Sequence, residues 1–166
     1  MELTLVLHNI RSCYNVGAIY RTAEGFGVLK VVLSGYTPRV HDASLLPHLR
    51  EKLDKEIHKT ALGAEDMVET EAVEDLPALL SAYRDDGYKI VGLENNINRD
   101  VCQINEPGLK AKLGEKVVLI LGEEVEGISP ELYDLIDLFV EIPMKGQKES
   151  FNVSVAAGIA MYALTV

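Results

Sequence analysis

Three segments of the sequence place polar side chains directly after apolar runs, where α/β proteins form their binding sites. The first segment, HNIRSCYNVGAIYRTA, holds Asn15, Gly17 and Arg21. Gly17 and Arg21 stand four residues apart and therefore share one face of a helix. Free backbone N–H groups near Gly17, together with Arg21, would suit a phosphate. An amphipathic helix that is capped by Asn15, with Arg21 reaching water, explains the same residues.

The second segment, LILGEEVEGIS, ends an apolar run at Gly122 and then places Glu123, Glu124 and Glu126 before Gly127. Neighbouring carboxylates repel one another, so packing alone does not call for them. They could bind a metal or an amine, orient a hydroxyl group, or simply face water. Gly127 indicates a tight turn that brings the backbone against a ligand.

The third segment, IPMKGQKESFNVSVAAGIAMY, runs from an apolar strand end through a polar loop into a helix of small residues. Ser150 and Asn152 stand at the helix entrance, where both residue types are common caps. The Ala and Gly residues that follow allow another backbone to approach this helix closely. A helix near a chain end more commonly anchors itself with bulky apolar side chains.

Apolar runs alternate with helical patterns along the chain, which predicts a mainly parallel sheet with helices on both faces. The whole of residues 1–166 is expected to form one domain. Strands are predicted at 3–8, 29–34, 88–94, 116–122 and 138–143, with a weaker candidate at 66–70. Helices are predicted at 15–26, 43–62, 74–86, 129–135 and 152–164. The stretch 95–115 shows no regular pattern and is either a surface connection or a mobile loop beside a site.

Composition excludes several classes of protein. The hydrophobic fraction is 48%, and no apolar run approaches a membrane span, so a globular domain without a membrane partner is expected. The acidic second residue and the strand-like start do not fit a signal peptide. Cys13 and Cys102 lack metal-type spacing, which predicts reduced thiols, a cytoplasmic protein and no metal site.

The net charge of −10 argues against a nucleic-acid partner, but the charge is unevenly distributed. Residues 1–60 hold eight Lys and Arg against six Asp and Glu, whereas residues 61–166 hold eight against twenty. The excess acid therefore lies outside the N-terminal third. Charge alone leaves the partner open.

The three segments resemble the motifs of the SpoU/TrmH-type RNA 2′-O-ribose methyltransferases, which belong to the SPOUT superfamily. NVGAIYRTA matches N-x-G-x-x-x-R-[TS]-[AS], and LILGEEVEG matches L-x-x-G-x-E-x-x-G. The third segment matches I-P-M-x-G-x-x-x-S-L-N-V-S-x-A, with Phe151 where Leu is usual. The order and internal spacing agree, and the resemblance covers essentially the whole chain. It implies a C-terminal deep trefoil knot, a homodimer and a minimal, single-domain member.

The resemblance also implies S-adenosyl-L-methionine as the cofactor, held in the knot mainly by backbone groups. Apolar side chains would enclose its adenine. The matching positions are Leu93, Leu121, Gly122, Glu123, Ile142, Met144, Ser150, Asn152 and Val153.

The implied reaction is methyl transfer to a ribose 2′-hydroxyl of tRNA or rRNA. Arg21 corresponds to the catalytic arginine of the family. Arginine stays protonated, so we expect Arg21 to hold an RNA phosphate and stabilise developing negative charge rather than act as a base. Glu124 and Asn152 would position Arg21, the ribose or the cofactor, and Asn15 would order the first motif. The group that takes the proton stays open.

The basic N-terminal third is the expected RNA-binding surface, through Arg11, Arg39, Arg50 and Lys52 together with Arg21. The other interpretation of these residues is scattered, solvated charge. The acidity of the chain favours a second function, a cofactor- and RNA-binding regulatory or assembly factor that needs an auxiliary protein. A small nucleotide-binding module of flavodoxin-like shape is a third, but the chain has neither a P-loop nor a G-x-G-x-x-G turn.

Overall fold

Seven parallel strands form one sheet in the computed structural model, which describes residues 1–166. The strands are β1 (Glu2–His8), β2 (Lys30–Ser34), β3 (Glu69–Val73), β4 (Lys89–Leu93), β5 (Val101–Gln103), β6 (Lys116–Leu121) and β7 (Leu138–Glu141). Their order across the sheet is β3-β2-β1-β6-β4-β7-β5, and every neighbouring pair is parallel. The C-terminal ends of all strands therefore lie at one edge of the sheet.

Helices cover both faces of the sheet, as predicted. They are α1 (Cys13–Gly25), α2 (Pro47–Ala61), α3 (Leu76–Asp85), α4 (Leu109–Leu113) and α5 (Val153–Thr165), with 3₁₀ helices at Ala64–Asp66 and Pro130–Leu135. Side chains alternate between faces along a strand. Leu5 and Leu7 of β1 accordingly join one buried core with α1, α2, α4 and α5, whereas Val6 joins a second core with α3.

The start of α3 follows the sequence, but the start of α1 does not. Asp75 accepts a hydrogen bond from the N–H of Ala78, 3.0 Å away, and caps α3. At α1, Ser12 is the cap and accepts from the N–H of Asn15 at 3.2 Å. The prediction that Asn15 caps this helix is therefore wrong, and its side chain is free to bond elsewhere.

Gly17 serves helix packing rather than a ligand. A Cβ atom at Gly17 would lie 2.2 Å from the carbonyl oxygen of Ile57 and 2.3 Å from Oγ1 of Thr60. Both neighbours belong to α2, so the glycine allows α1 and α2 to meet backbone to backbone. The interpretation of Gly17 as part of a phosphate cradle is not supported.

The small residues of α5 bring it close to α1 and the sheet. Ala157 and Ala160 are fully buried, and a Cβ at Gly158 would lie 3.6 Å from the methyl group of Thr22. The opposite side of α5 exposes Val155 and Tyr162. The predicted close approach of another backbone to this helix stays a prediction, because a Cβ at Gly158 would meet the Thr22 side chain at an ordinary van der Waals distance.

Four parts of the secondary structure differ from the prediction. Helix α2 begins at Pro47 rather than at 43, because Asp42 accepts hydrogen bonds from Ser44 and holds a turn there. The segment 130–135 is a 3₁₀ helix, and the weak strand lies at 69–73 rather than 66–70. The stretch without pattern contains β5 and α4. None of the helices has the length and apolar character needed to cross a bilayer.

Candidate functional site

A cavity of about 360 Å³ opens at the C-terminal ends of β4 and β6. Its walls are the segments that follow these two strands, together with the segment that follows β7. The lining consists of Leu93, Glu94, Asn95, Asn96, Ile97, Leu121, Gly122, Glu123, Glu124, Val125, Glu126, Gly127, Tyr133, Ile142, Glu149, Ser150, Phe151, Val153 and Ala156. This is the edge at which parallel α/β sheets bind their ligands.

Glu124 connects the second sequence segment to the first. Its carboxylate accepts hydrogen bonds from the backbone N–H groups of Arg11 (3.1 Å) and Ser12 (3.3 Å) and from Nδ2 of Asn15 (3.0 Å). Burial alone would raise the pKa of Glu124, but these hydrogen bonds lower it below its usual value. Glu124 is therefore an ionised, fully engaged acceptor and a poor candidate for a general base.

Asn152 connects the third segment to the same cluster. Its Nδ2 donates to Oδ1 of Asn15 at 3.1 Å, while its Oδ1 accepts from the N–H of Ser154 at 2.9 Å and caps α5. Asn15 thus accepts from Asn152 and donates to Glu124. Side chains 137 and 109 residues apart are joined in one hydrogen-bonded chain.

Glu123 is the most deeply buried acid of the cavity wall, with 6% of its side chain exposed. Its Oε2 accepts from the N–H of Glu126 at 3.3 Å. Its Oε1 lies 2.5 Å from Nη2 of Arg11, an ion pair, yet no donor approaches this oxygen with hydrogen-bond geometry. The two partners of this ion pair differ in burial, because 67% of the Arg11 side chain is exposed whereas Glu123 is buried.

Glu94 ends β4 and supports the turn after β6. Its two carboxylate oxygens accept from the backbone N–H groups of Ile128 and Asn95. Burial raises the pKa of Glu94, and these hydrogen bonds oppose that rise. The sequence interpretation did not single out this residue. An acid at the C-terminal end of a parallel strand could have indicated it, because ligands bind beyond such strand ends.

The turn between Gly122 and Gly127 is closed by protein rather than by a ligand. Gly127 has a φ of +73°, and a Cβ there would lie 2.0 Å from Oε1 of Glu94. A Cβ at Gly122 would lie 2.2 Å from the backbone of Gly127 and of Ile128. Gly122 is therefore required by close backbone approach within the turn, and Gly127 by its positive φ and by the Glu94 carboxylate beside it.

The segment after β7 is tied across the loop that follows β4. Asn95 donates from Nδ2 to the carbonyl of Ile142 (2.9 Å) and accepts from its N–H (3.3 Å). Asn96 donates to the carbonyl of Glu149 at 3.4 Å. These side-chain bonds hold the third sequence segment over the cavity.

Most of the predicted cofactor positions line the cavity, and two do not. Met144 and Asn152 are absent from the lining, but Asn152 reaches the cluster through Asn15. The positions that do line it are Leu93, Leu121, Gly122, Glu123, Ile142, Ser150 and Val153, joined by Glu124 from the predicted catalytic set.

Arg21 lies away from the cavity of its own chain. It stands six residues beyond Asn15 on α1, a rise of about 9 Å along the helix axis. Its side chain is exposed and forms no hydrogen bond or ion pair within the chain. A catalytic role for Arg21 in this cavity would need a second element to bring it there.

The predicted RNA-binding residues are dispersed. Arg11 borders the cavity, whereas Arg39 pairs with Glu74 at 2.5 Å on the β3 side of the sheet. Arg50 and Lys52 lie on α2 without hydrogen bonds to other side chains. Arg11 alone adjoins the candidate site.

Residues 2–162 match the sequence pattern of the SpoU rRNA Methylase family. The chain is 31% identical over 160 residues to the 23S rRNA (guanosine-2′-O-)-methyltransferase RlmB of Xylella fastidiosa and 29% identical over 160 residues to that of Pseudomonas putida. Each alignment covers 96% of this chain but 57% of the relative, so the chain spans little more than half of these proteins.

Solved structures give the same assignment. The A. aeolicus TrmH/SpoU tRNA modifying enzyme superposes with a TM-score of 0.77 at 26% identity, covering 99% of this chain and 74% of that one. The fold is also that of the SpoU methyltransferase AviRb from Streptomyces viridochromogenes in complex with AdoMet (TM-score 0.77, 21% identity, 99% and 57% covered). With three motif segments joined at one strand edge, this chain belongs to the SpoU rRNA methylase family.

Proposed function

We propose that the protein transfers a methyl group from S-adenosyl-L-methionine to a ribose 2′-hydroxyl of tRNA or rRNA. One observation carries the proposal: Asn152, Asn15 and Glu124, from three distant sequence segments, form one hydrogen-bonded chain beside a strand-edge cavity. Membership of the SpoU family supports the activity, and the names of the relatives support an RNA substrate.

The cavity has the size and the mixed lining of a small-molecule site. Leu93, Leu121, Ile142 and Val153 offer apolar surface that suits an adenine ring, and the carboxylate of Glu123 has an oxygen without a hydrogen bond. When bound, S-adenosyl-L-methionine supplies a methyl group on a positively charged sulfur that keeps the electron pair of the broken C–S bond. Backbone groups at 121–123 and 142–144, with Ser150, would hold it.

The residues of the chain orient the reactants rather than take the proton. Glu124 is ionised and engaged by three donors, so its role is to fix the segment that carries Asn15. Arg21 remains protonated and would bind an RNA phosphate and stabilise the developing charge on the 2′-oxygen.

A homodimer would bring Arg21 to a cavity. Arg21 is exposed on α1, and the neighbouring α5 exposes Val155 and Tyr162, with 50% and 59% of their surface accessible. A two-fold interface on α1 and α5 would cover these apolar residues and direct each Arg21 toward the partner subunit's cavity.

We further propose a trefoil knot in the C-terminal part of the chain. Strand β7 lies between β4 and β5, and the segment after it is hydrogen-bonded to Asn95 and Asn96 in the loop after β4. The same segment then reaches α1 through Asn152. This path supports threading of the last helix through the loop, as the family resemblance implies.

RNA would approach the face that carries Arg11. The net charge of −10 weakens autonomous binding, since RNA affinity rests on cationic contacts to phosphate. We therefore include an auxiliary protein for RNA recruitment in the proposal, for substrates that the isolated protein binds weakly.

Incubation with methyl-labelled S-adenosyl-L-methionine and either total tRNA or rRNA tests the activity. We expect label in one RNA class, mapped to a ribose 2′-oxygen, and loss of label with Arg21→Ala. Label on a base, or none even when cell extract is added, would contradict the proposal.

Mixed dimers test the position of Arg21. Arg21→Ala and Glu124→Gln subunits, each inactive alone, are denatured together and refolded. If Arg21 acts across the dimer, half of the dimers are mixed and hold one intact site of two, so about a quarter of the wild-type activity returns. No recovery would place Arg21 in its own subunit's site.

A further inference from the structure

The charges that line the cavity all have one sign. Glu94, Glu123, Glu124, Glu126 and Glu149 contribute carboxylates, and none of the 19 lining residues is Lys, Arg or His. A wall of one sign excludes ligands of like charge and concentrates those of opposite charge.

The protein itself compensates two of these carboxylates, which are partly buried. Glu124 accepts from three N–H donors, and Glu94 accepts from the N–H groups of Ile128 and Asn95. Neither needs a ligand to satisfy its charge.

Glu123 is compensated much less. Only 6% of its side chain is exposed, and one carboxylate oxygen has no hydrogen-bond donor. The Arg11 guanidinium, 2.5 Å from this oxygen, has 67% of its side chain exposed and also lies 6.0 Å from the Tyr36 ring centroid, so it compensates Glu123 only from the solvent side. A second cation, the Arg99 guanidinium, lies 5.6 Å from the ring centroid of Tyr133, which lines the cavity. It is half exposed and pairs with Asp134 rather than with Glu123.

We propose that Glu123 makes this cavity select a cationic methyl donor over its neutral product. S-adenosyl-L-methionine bears a positive sulfur, and S-adenosyl-L-homocysteine, which remains after transfer, has an uncharged one. The inference rests on the proposed function, because it concerns the same cavity. Its consequence is product release: transfer of the methyl group removes the charge that the wall attracts, so the product leaves readily and inhibits weakly.

The physical basis is the low dielectric constant around a buried carboxylate. A unit charge within several ångströms of an ionised, poorly hydrated carboxylate is stabilised far more than in water. A neutral ligand of the same shape gains nothing from that charge and still displaces water from the carboxylate. The two ligands differ by one methyl group and the charge that it brings, so their affinity ratio reports both, and a Glu123→Gln variant separates the charge from the contacts of the methyl group.

Isothermal titration calorimetry of the full chain with each ligand measures this ratio without an RNA substrate. We expect S-adenosyl-L-methionine to bind about tenfold or more tightly than S-adenosyl-L-homocysteine. Sinefungin, which has an amine-bearing carbon in place of the sulfonium, should bind like the cationic donor. Equal affinities of the wild-type protein for the three ligands would overturn the inference and leave the proposed function intact. If none of the three ligands binds, both the inference and the proposed function are wrong.

Two substitutions should move the ratio in opposite directions. Glu123→Gln keeps the shape and the acceptor for the Glu126 N–H, and we expect it to weaken the two cationic ligands several-fold while the neutral product binds as before. Arg11→Gln leaves Glu123 uncompensated and should strengthen the preference for the cation. Binding of the neutral product serves as the measure of correct folding in each variant.

Glu131→Gln is the matched control, since it removes an exposed carboxylate of the following 3₁₀ helix that does not line the cavity. Its ratio should equal that of the wild type. A Glu123→Gln variant with an unchanged ratio would show that Glu123 does not set the preference.

Discussion

Two cavities of this molecule differ in how their charges are paired. The second, of about 500 Å³, lies beside β2 and β3 and is larger than the strand-edge cavity of about 360 Å³. Its charged residues nevertheless find partners in the chain: Arg39 pairs with Glu74, and His41 lies between Asp54 and Asp66. Glu65 pairs with His58 at 2.6 Å and accepts from the N–H of Gly63.

The cavity that we propose as the binding site is thus the smaller of the two, and it differs from the other in having carboxylates but no cation in its lining. The pairs around the second cavity fasten the loop at 39–43 to α2 and to the 3₁₀ helix at 64–66. The carboxylates of the strand-edge cavity include one, Glu123, that has an oxygen without a hydrogen bond and only the exposed Arg11 guanidinium beside it. Substitutions of charged residues in the first cavity should therefore change function, and those of charged residues in the second should change stability.

The largest effect is expected from Glu124→Gln. The amide would place its own N–H groups against the donors of Arg11, Ser12 or Asn15, which leaves polar groups unpaired in a partly buried cluster. We expect kcat/KM for methyl transfer to fall about 100-fold, because the segment carrying Asn15 loses its fixed position. Initial rates with labelled cofactor measure it, with Glu131→Gln as the control. A wild-type rate for Glu124→Gln would show that Glu124 has no role in the site.

Gly122→Ala should destabilise the whole fold. The added methyl group would meet the backbone of Gly127 and Ile128 at 2.2 Å, and neither can move without opening the turn. We expect the free energy of unfolding in urea to fall by about 1–3 kcal/mol. Gly146→Ala, with no atom within 4 Å of its added carbon, should be neutral. Equal stability of both variants would show that the turn adapts.

His41 should give the second cavity a pH-dependent stability. Hydrogen bonds to Asp66 and then Asp54 raise the pKa of His41 above its ordinary value of 6.5. Its contribution is therefore fully present below about pH 6.5, the unfolded-state value, and is lost as pH rises through the raised folded pKa. His41→Gln should lower the melting temperature by a few degrees at about pH 6 and by less at about pH 9. The exposed His48→Gln variant should show no such difference, and a pH-independent loss would assign His41 a packing role.

The smallest effect is expected from Arg39→Gln. Its partner Glu74 has 84% of its side chain exposed, and exposed ion pairs contribute little. The free energy of unfolding should fall by less than about 1 kcal/mol. A larger loss would mean that the second cavity depends on this pair.

The sheet could be predicted from the sequence because its central strands are buried on both faces. Such strands read as continuous apolar runs, as β1 and β6 do. Strand β5 has only three residues at the sheet edge, and α4 has five, so neither is long enough to show a period. The placement of β7 between β4 and β5 depends on pairing across the sheet, which local patterns do not contain.

The motif residues of the site were found by resemblance, but their roles needed the structure. The spacing around Asn15 fits a cap, and only the position of Ser12 one turn earlier shows that the Asn15 side chain turns toward Glu124. Glu94 lies outside the three motif segments. Its hydrogen bond to Ile128 spans 34 residues, so no local pattern connects the two. Charge pairing of this kind is set by tertiary contacts, which a linear sequence does not display.

The position of β1 in the sheet has a consequence for how the chain acquires its fold. Strand β1 is made before the other six strands of this sheet, yet it lies between β2 and β6, and residues 116–121 of β6 emerge from the ribosome much later. Until then a highly apolar strand presents a free edge, which can pair with other nascent chains. Cells that make this protein should therefore need chaperone protection during translation, and a chain interrupted before β6 should aggregate rather than accumulate as a stable fragment.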